Sequence, residues 1–297
     1  MLTVQVVLGG ILLGGLYACI AIGFSVAWGV TNLINLAHGT MIVIGAYITW
    51  LLSTRVGLDP FLAMPIAAAA LFAFGYLLQR LLLNHVIRSS LFMTLILTFG
   101  IDMVLTNVLL ELFSADVRAI STAYSDSVLQ VGEIRLPYTR IAVFAIALLL
   151  TFALHLFMTG TRSGRAIRAT AQSGRAATVL GIDTQKTYAV AFGIGAAMAG
   201  AAGSLVAVVY SFSPVTGDGF TMKAFVVVLL GGLGSMKGAL AAGMLLGVAE
   251  NLVSGLIAPG YRDAVSFFLL VLVLVFRGHG LLGKRQVFAA QIRRAGE

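Results

Sequence analysis

The 297-residue chain has a formal net charge of +8, yet only 10% of its residues are charged and 60% are hydrophobic. Soluble domains carry about 25% charged residues, so the polar surface that a water-soluble fold needs is missing and the solvent of this chain is mostly lipid. Its basic residues flank apolar runs and do not form a patch, which fits orientation in a bilayer and argues against nucleic acid as a partner.

Apolar runs near the roughly 20 residues that cross a bilayer as helix predict an all-α, polytopic transmembrane bundle in one domain, residues 1–297. The expected spans are Leu2–Val30, Leu36–Ser53, Phe61–Leu83, Leu91–Leu112, Ile141–Met158, Tyr188–Tyr210, Met222–Met236, Gly238–Ala258 and Tyr261–Phe276. The first is too long for a cleaved signal peptide and lacks a basic start, so it reads as mature structure. It carries the single cysteine, Cys19, which rules out an internal disulfide. Gly10 and Gly14 lie four apart, as do Gly243 and Gly247, and Gly195, Ala199 and Gly203 share a face. Small residues at this spacing let helix backbones approach closely.

Between the first two spans, Asn32-Leu33-Ile34-Asn35-Leu36-Ala37-His38-Gly39 gathers two amides and an imidazole in an apolar chain. Asn35 and His38 either cap the helices and tie their turn together or line a solute path. Asp59-Pro60 and Leu136-Pro137 mark helix starts. Asp102 stands near the middle of its span, where a bare charge is expensive. It is read as a structural hydrogen-bonding group, a neutral acid or a path-lining group.

Arg80 and Arg88 bracket one connection; Arg162, Arg165, Arg168, Arg175 and Lys186 occupy a second; Arg277, Lys284, Arg285, Arg293 and Arg294 fill the tail, residues 277–297. These regions are expected to face the cytoplasm. The connections holding Asp59, then Glu111, Asp116, Asp126 and Glu133, then Asp218, are expected outside with the N-terminus, although Arg118, Arg135 and Arg140 break the pattern there. Met222–Met236 is short and ends in Gly231-Gly232-Leu233-Gly234. Keeping the basic tail inside requires that segment to cross, as a short or broken helix, giving nine spans; a re-entrant piece gives eight. Lys223 opens it, read either as snorkelling to the interface or as contacting an anion from outside. Glu250 and Asn251 form a polar pair in the next span, read as a helix–helix hydrogen bond or as path-lining.

Enzyme motifs are lacking. Gly232-Leu233-Gly234-Ser235-Met236-Lys237-Gly238 has the wrong order for a phosphate-binding loop. His38, His85, His155 and His279 show no metal-ligand spacing, and no nucleophile–base arrangement can be argued. The most specific feature is Thr161–Lys186, long for a connection and amphipathic with basic positions. Arg175-Ala176-Ala177-Thr178-Val179-Leu180-Gly181-Ile182 within it suits either docking in a protein groove or lying on anionic lipid.

At these residues the chain resembles the inner-membrane permeases of branched-chain amino acid ABC importers, a family with urea and short-chain amide relatives. Gly15-Leu16-Tyr17-Ala18, Asn35-Leu36-Ala37-His38-Gly39 with Met41 and Gly45-Ala46-Tyr47, Thr98-Phe99-Gly100 with Asn107, Lys223-Ala224-Phe225, Leu230-Gly231-Gly232-Leu233-Gly234-Ser235 with Gly238-Ala239, and Glu250 carry the likeness, in order along nearly the whole chain. Arg175–Gly181 is similar to the EAA loop of such permeases, with Arg175 in place of the glutamate. Arg277-Gly278-His279-Gly280 departs in lacking a proline after the arginine.

The resemblance implies that residues 160–186 form a coupling loop, with Arg175, Ala176, Ala177, Leu180, Gly181 and Ile182 meeting a cytosolic ATPase. It also implies a second, related permease, a periplasmic binding protein, and a bacterial inner-membrane location. This chain would bind no cofactor, and ATP with magnesium would be used by the partner. Asn35, His38, Asp102, Lys223 and Glu250 are the candidates for the translocation path. A urea or short-chain amide ABC permease, or a secondary transporter without an ATPase, is the alternative.

Overall fold

A computed structural model describes residues 2–87, 89–122, 124, 127–276 and 280–282. Its helices are α1 (Leu2–Thr31), α2 (His38–Val56), α3 (Pro60–Leu78), α4 (Asn84–Val86), α5 (Leu91–Phe113), α6 (Tyr138–Gly160), α7 (Arg162–Gln172), α8 (Gly174–Val179), α9 (Thr184–Val209), α10 (Gly217–Gly231), α11 (Met236–Leu256) and α12 (Arg262–Phe276). A π-helical stretch, Gln79–Leu83, joins α3 to α4. Among the described residues, eight helical segments are long and apolar enough to cross a membrane by length and composition. α12 is a ninth, shorter apolar helix of 15 residues. Arg88, Asp126, Arg277–His279 and the basic tail lie outside the described residues.

α1 is apolar all round and α9 is rich in small residues, and both are largely buried. α2, α10 and α11 pack on them, whereas α3, α5 and α6 leave most of their surface outside the bundle. Large apolar side chains on those outer helices, such as Phe92, Leu149 and Phe152, are exposed, as lipid-facing surface should be. The glycines set the helix separations. A Cβ on Gly247 would stand 2.5 Å from the Gly10 carbonyl oxygen and 2.5 Å from the Gly14 Cα, and one on Gly243 would strike Ala18. The four glycines Gly10, Gly14, Gly243 and Gly247 thus form one seam between α1 and α11. Gly45 and Gly200 bring α2 equally close to α9, and Thr49 and Ser204 hydrogen-bond across it at 2.7 Å.

The span expected over Met222–Met236 sits earlier, at Gly217–Gly231. Ser213 and Thr216 cap the short turn Pro214–Thr216 that leads into it, so helix begins in a polar stretch that hydropathy passes over. It stops because Gly232 takes φ +97°, which suits glycine, and Ser235 then caps α11 through the Gly238 N–H. The 160–186 connection is two helices instead of one. Ser173 ends α7 in extended backbone and accepts from the Ala176 N–H to start α8. A small hairpin, β1 (Val128–Val131) with β2 (Ile134–Pro137), also occupies the 114–137 connection.

Candidate functional site

The α1–α2 connector does not stay at the end of the bundle. The imidazole Nε2 of His38 lies 3.1 Å from the carbonyl oxygen of Ile20, about three turns back from the Thr31 end of α1. Residues 32–37 therefore climb roughly 16 Å into the bundle at 1.5 Å per helical residue. Non-helical backbone at such depth must find partners inside the protein, and threonines provide them. Thr98 of α5 donates to the Ile34 carbonyl at 3.0 Å. Thr221 of α10 donates to the Leu36 carbonyl at 3.1 Å and accepts from the Gly39 N–H at 2.8 Å. Asn35 accepts from the Ala37 N–H at 3.2 Å, and His38 meets the Phe24 ring edge-on at 5.3 Å. Both side chains are buried and tie the turn down.

This climb lets α2 begin deep inside, against the first turn of α10. A Cβ on Gly39 would overlap the Gly217 carbonyl. The Thr40 hydroxyl next to it donates to the carboxylate of Asp102, and Thr106 lies 3.4 Å from the same hydroxyl. Asp102, 8% exposed, thus belongs to a cluster of hydroxyls where α2, α5 and α10 converge.

Lys223 and Glu250, expected separately, meet. The Lys223 ammonium is 3.0 Å from both Glu250 carboxylate oxygens and 3.1 Å from the Tyr17 hydroxyl, over whose ring it lies at 5.0 Å. Glu250 has no exposed surface, and it also accepts from Tyr17 at 2.6 Å and Ser266 at 2.5 Å. Asp263 approaches Lys223 at 3.3 Å from its exposed position. One buried carboxylate therefore holds α1, α10, α11 and α12 together with its lone pairs used. Tyr17, noted only in the first-helix likeness, and Asp263 and Ser266 were not expected as site residues; an Arg262-Asp263 pair opening an apolar helix was the available signal. Asn251 points elsewhere, donating to the Val6 carbonyl at 2.5 Å.

At the arginine-rich end, α7 packs Ile167 into the core, whereas α8 stands largely exposed. Thr161 caps α7 through the Gly164 N–H at 3.0 Å. Gly181 turns the chain with φ +81°, and the Ile182 N–H returns to the Ala177 carbonyl at 3.0 Å. Ala177 is buried and Ile182 half-buried, so these two pack inward, whereas Arg175, Ala176, Leu180 and Gly181 are exposed. The adjoining Val179 and Leu180 are 87% and 78% exposed. Sequence reasoning passed over Val179, the most exposed apolar residue of the segment.

The family described as "Branched-chain amino acid transport system / permease component" matches residues 6–274. The chain belongs to that family. Among its relatives, the high-affinity branched-chain amino acid transport system permease protein BraD of Pseudomonas aeruginosa is 34% identical over 95% of this chain and 96% of its own. The LivH permease protein of Escherichia coli is 35% identical over the same shares. LivM of Escherichia coli, described as a permease protein of the same kind of system, is 28% identical over 90% of this chain and 68% of its own. No solved structure matches. Both polar constellations and the α7–α8 segment of this permease fall inside the matched region.

Proposed function

We propose that the chain is the membrane-spanning subunit of an ATP-driven importer of branched-chain aliphatic amino acids, fed by a periplasmic binding protein and paired with a second, related permease. The observation that carries this reading is the apolar tip Val179-Leu180, exposed on a short capped helix. In this reading a protein groove, and not anionic lipid, buries the exposed Val and Leu. A cytosolic ATPase is the partner that this family's architecture calls for. In this reading the arginine-rich end faces the cytoplasm and the hairpin end faces outward across the inner membrane, and the chain itself holds neither nucleotide nor metal.

The junction of α2, α5 and α10 is the proposed constriction of the path. Asn35 and His38 hold its backbone, and Asp102 with Thr40 presents hydroxyl and carboxylate groups to the solute. Lys223 and Glu250 set the position of α10 beside it. Binding of ATP by the partner would shift the population between two arrangements of these helices, which requires the partner to bind them unequally.

The test is uptake of radiolabelled leucine into liposomes. Uptake that requires the ATPase subunits, ATP and the binding protein is expected, with Asp102→Asn still transporting at a reduced rate. Uptake by this chain alone under a proton or sodium gradient, abolished by Asp102→Asn, would refute the reading in favour of a secondary transporter. ATP-driven uptake of urea or an amide but not leucine would refute only the solute.

A further inference from the structure

At the hairpin end, a cleft of about 100 Å³ lies between α1, α6, the end of α9, α11 and the start of α12. Its floor is apolar, with Leu12, Leu16 and Val143, and its polar lining includes Arg140 and Arg262. Among the described residues, no carboxylate lines it. Arg140 makes no ion pair among the described residues. Arg262 approaches Glu250 only at 3.9 Å, and its Nε is buried without a hydrogen-bond partner. The Glu250 oxygens are already engaged by Tyr17, Ser266 and Lys223, as described above. Both guanidiniums line the same cleft, with Tyr210 beside them.

Their positions on the helices sharpen the point. Arg140 lies in the first turn of α6 and Arg262 opens α12. A helix N-terminus carries partial positive charge and disfavours cations, so both arginines stand where the backbone adds to their potential. Arg140 is also one of the basic residues that broke the charge asymmetry of the connections. Positive charge above an apolar floor, only partly balanced by Glu250, fits a ligand with an anionic head and a hydrocarbon body. A zwitterionic amino acid fits less well, because among the described lining residues its ammonium would meet two guanidiniums and no acid.

We propose that this cleft binds an anionic phospholipid, with the phosphate held by the Arg140 and Arg262 guanidiniums and an acyl chain against Leu12, Leu16 and Val143. Guanidinium forks match phosphate oxygens in geometry and charge.

The experiment is native mass spectrometry of the full chain in detergent, titrated with short-chain phosphatidylglycerol or phosphatidylcholine. Phosphatidylglycerol should bind about tenfold more tightly, one charge-assisted contact's worth, and Arg140→Gln should remove that preference. Arg140→Lys should keep part of it. The Arg140 side chain is exposed, so its loss leaves the fold intact, and an unchanged melting temperature checks this. Equal binding of the two lipids, or a preference that survives in Arg140→Gln, would overturn the proposal. Displacement of the lipid by inorganic phosphate at equal concentration would overturn the lipid assignment, since the hydrocarbon floor would then contribute nothing.

Discussion

Removing one side of the Lys223–Glu250 pair should cost unequal amounts depending on which side is removed. Glu250 has no exposed surface and Lys223 only 15%. Breaking a buried pair by deleting one partner costs roughly 3–5 kcal/mol, because the survivor is left buried and uncompensated. In Lys223→Met the survivor is Glu250, whose remaining cation, Arg262, stands off at 3.9 Å. The full cost of about 3–5 kcal/mol applies. In Glu250→Gln the survivor is Lys223, which keeps Asp263 at 3.3 Å, and the expected cost falls to about 2–3 kcal/mol. The double variant removes both charges and should be less destabilised than the sum by about 2 kcal/mol, within the range for contacting residues. Reversible unfolding in mixed micelles with increasing denaturing detergent, followed by circular dichroism, measures all four corners of the cycle. Additive single costs, or Glu250→Gln at least as harmful as Lys223→Met, would refute the reasoning.

The same unfolding assay separates the glycines. Gly247→Val should destabilise by about 1–3 kcal/mol or block folding, because its side chain would enter the α1 backbone. Gly100→Ala, with nothing within 4 Å, should be neutral or stabilising by up to about 1 kcal/mol. Leu180→Asp should leave stability within about 0.5 kcal/mol of the parent while abolishing ATP-driven uptake in liposomes. Ala177→Glu, buried in α8, should instead loosen the segment, seen as increased proteolysis between α7 and α9. Tyr124 donates to Asp59 at 2.8 Å, and burial with this bond pushes its phenol up to about 12, above the usual tyrosine range. The unfolded chain then loses a proton that the folded one keeps. Stability should fall as pH rises from about 10 towards 12, and Tyr124→Phe should flatten that part of the profile.

Sequence alone carried the helices because apolar length is the dominant constraint in lipid. It carried the glycine seam because a spacing of four places Gly10 with Gly14 and Gly243 with Gly247 on single faces. It identified Lys223 and Glu250 as costly groups but not as partners. They sit 27 residues apart on antiparallel helices, and the turn at Gly232–Ser235 that sets their register has no hydropathy signature. Tyr17 and Ser266 were hidden for a related reason, since single hydroxyls in apolar runs are ordinary. The depth of Asn32–Ala37 was equally invisible. A connector between two spans reads as an end-loop whether it stays at the surface or climbs, and only the Ile20, Thr98 and Thr221 contacts reveal the climb. Ala177 illustrates a finer limit: a stretch of small residues does not say which of them faces the parent fold.

The climbing connector has a mechanical consequence. The barrier in the proposed path is a stretch of non-helical backbone moored to its neighbours by the Thr98 and Thr221 hydroxyls. In membrane proteins each such mooring is worth about 0.6 kcal/mol on average. Drawing α5 or α10 aside by the length of one hydrogen bond would release Ile34 or Leu36 without unwinding a turn of helix. The proposed passage can thus be unlatched cheaply, while the buried Glu250 knot ties the surrounding helices together.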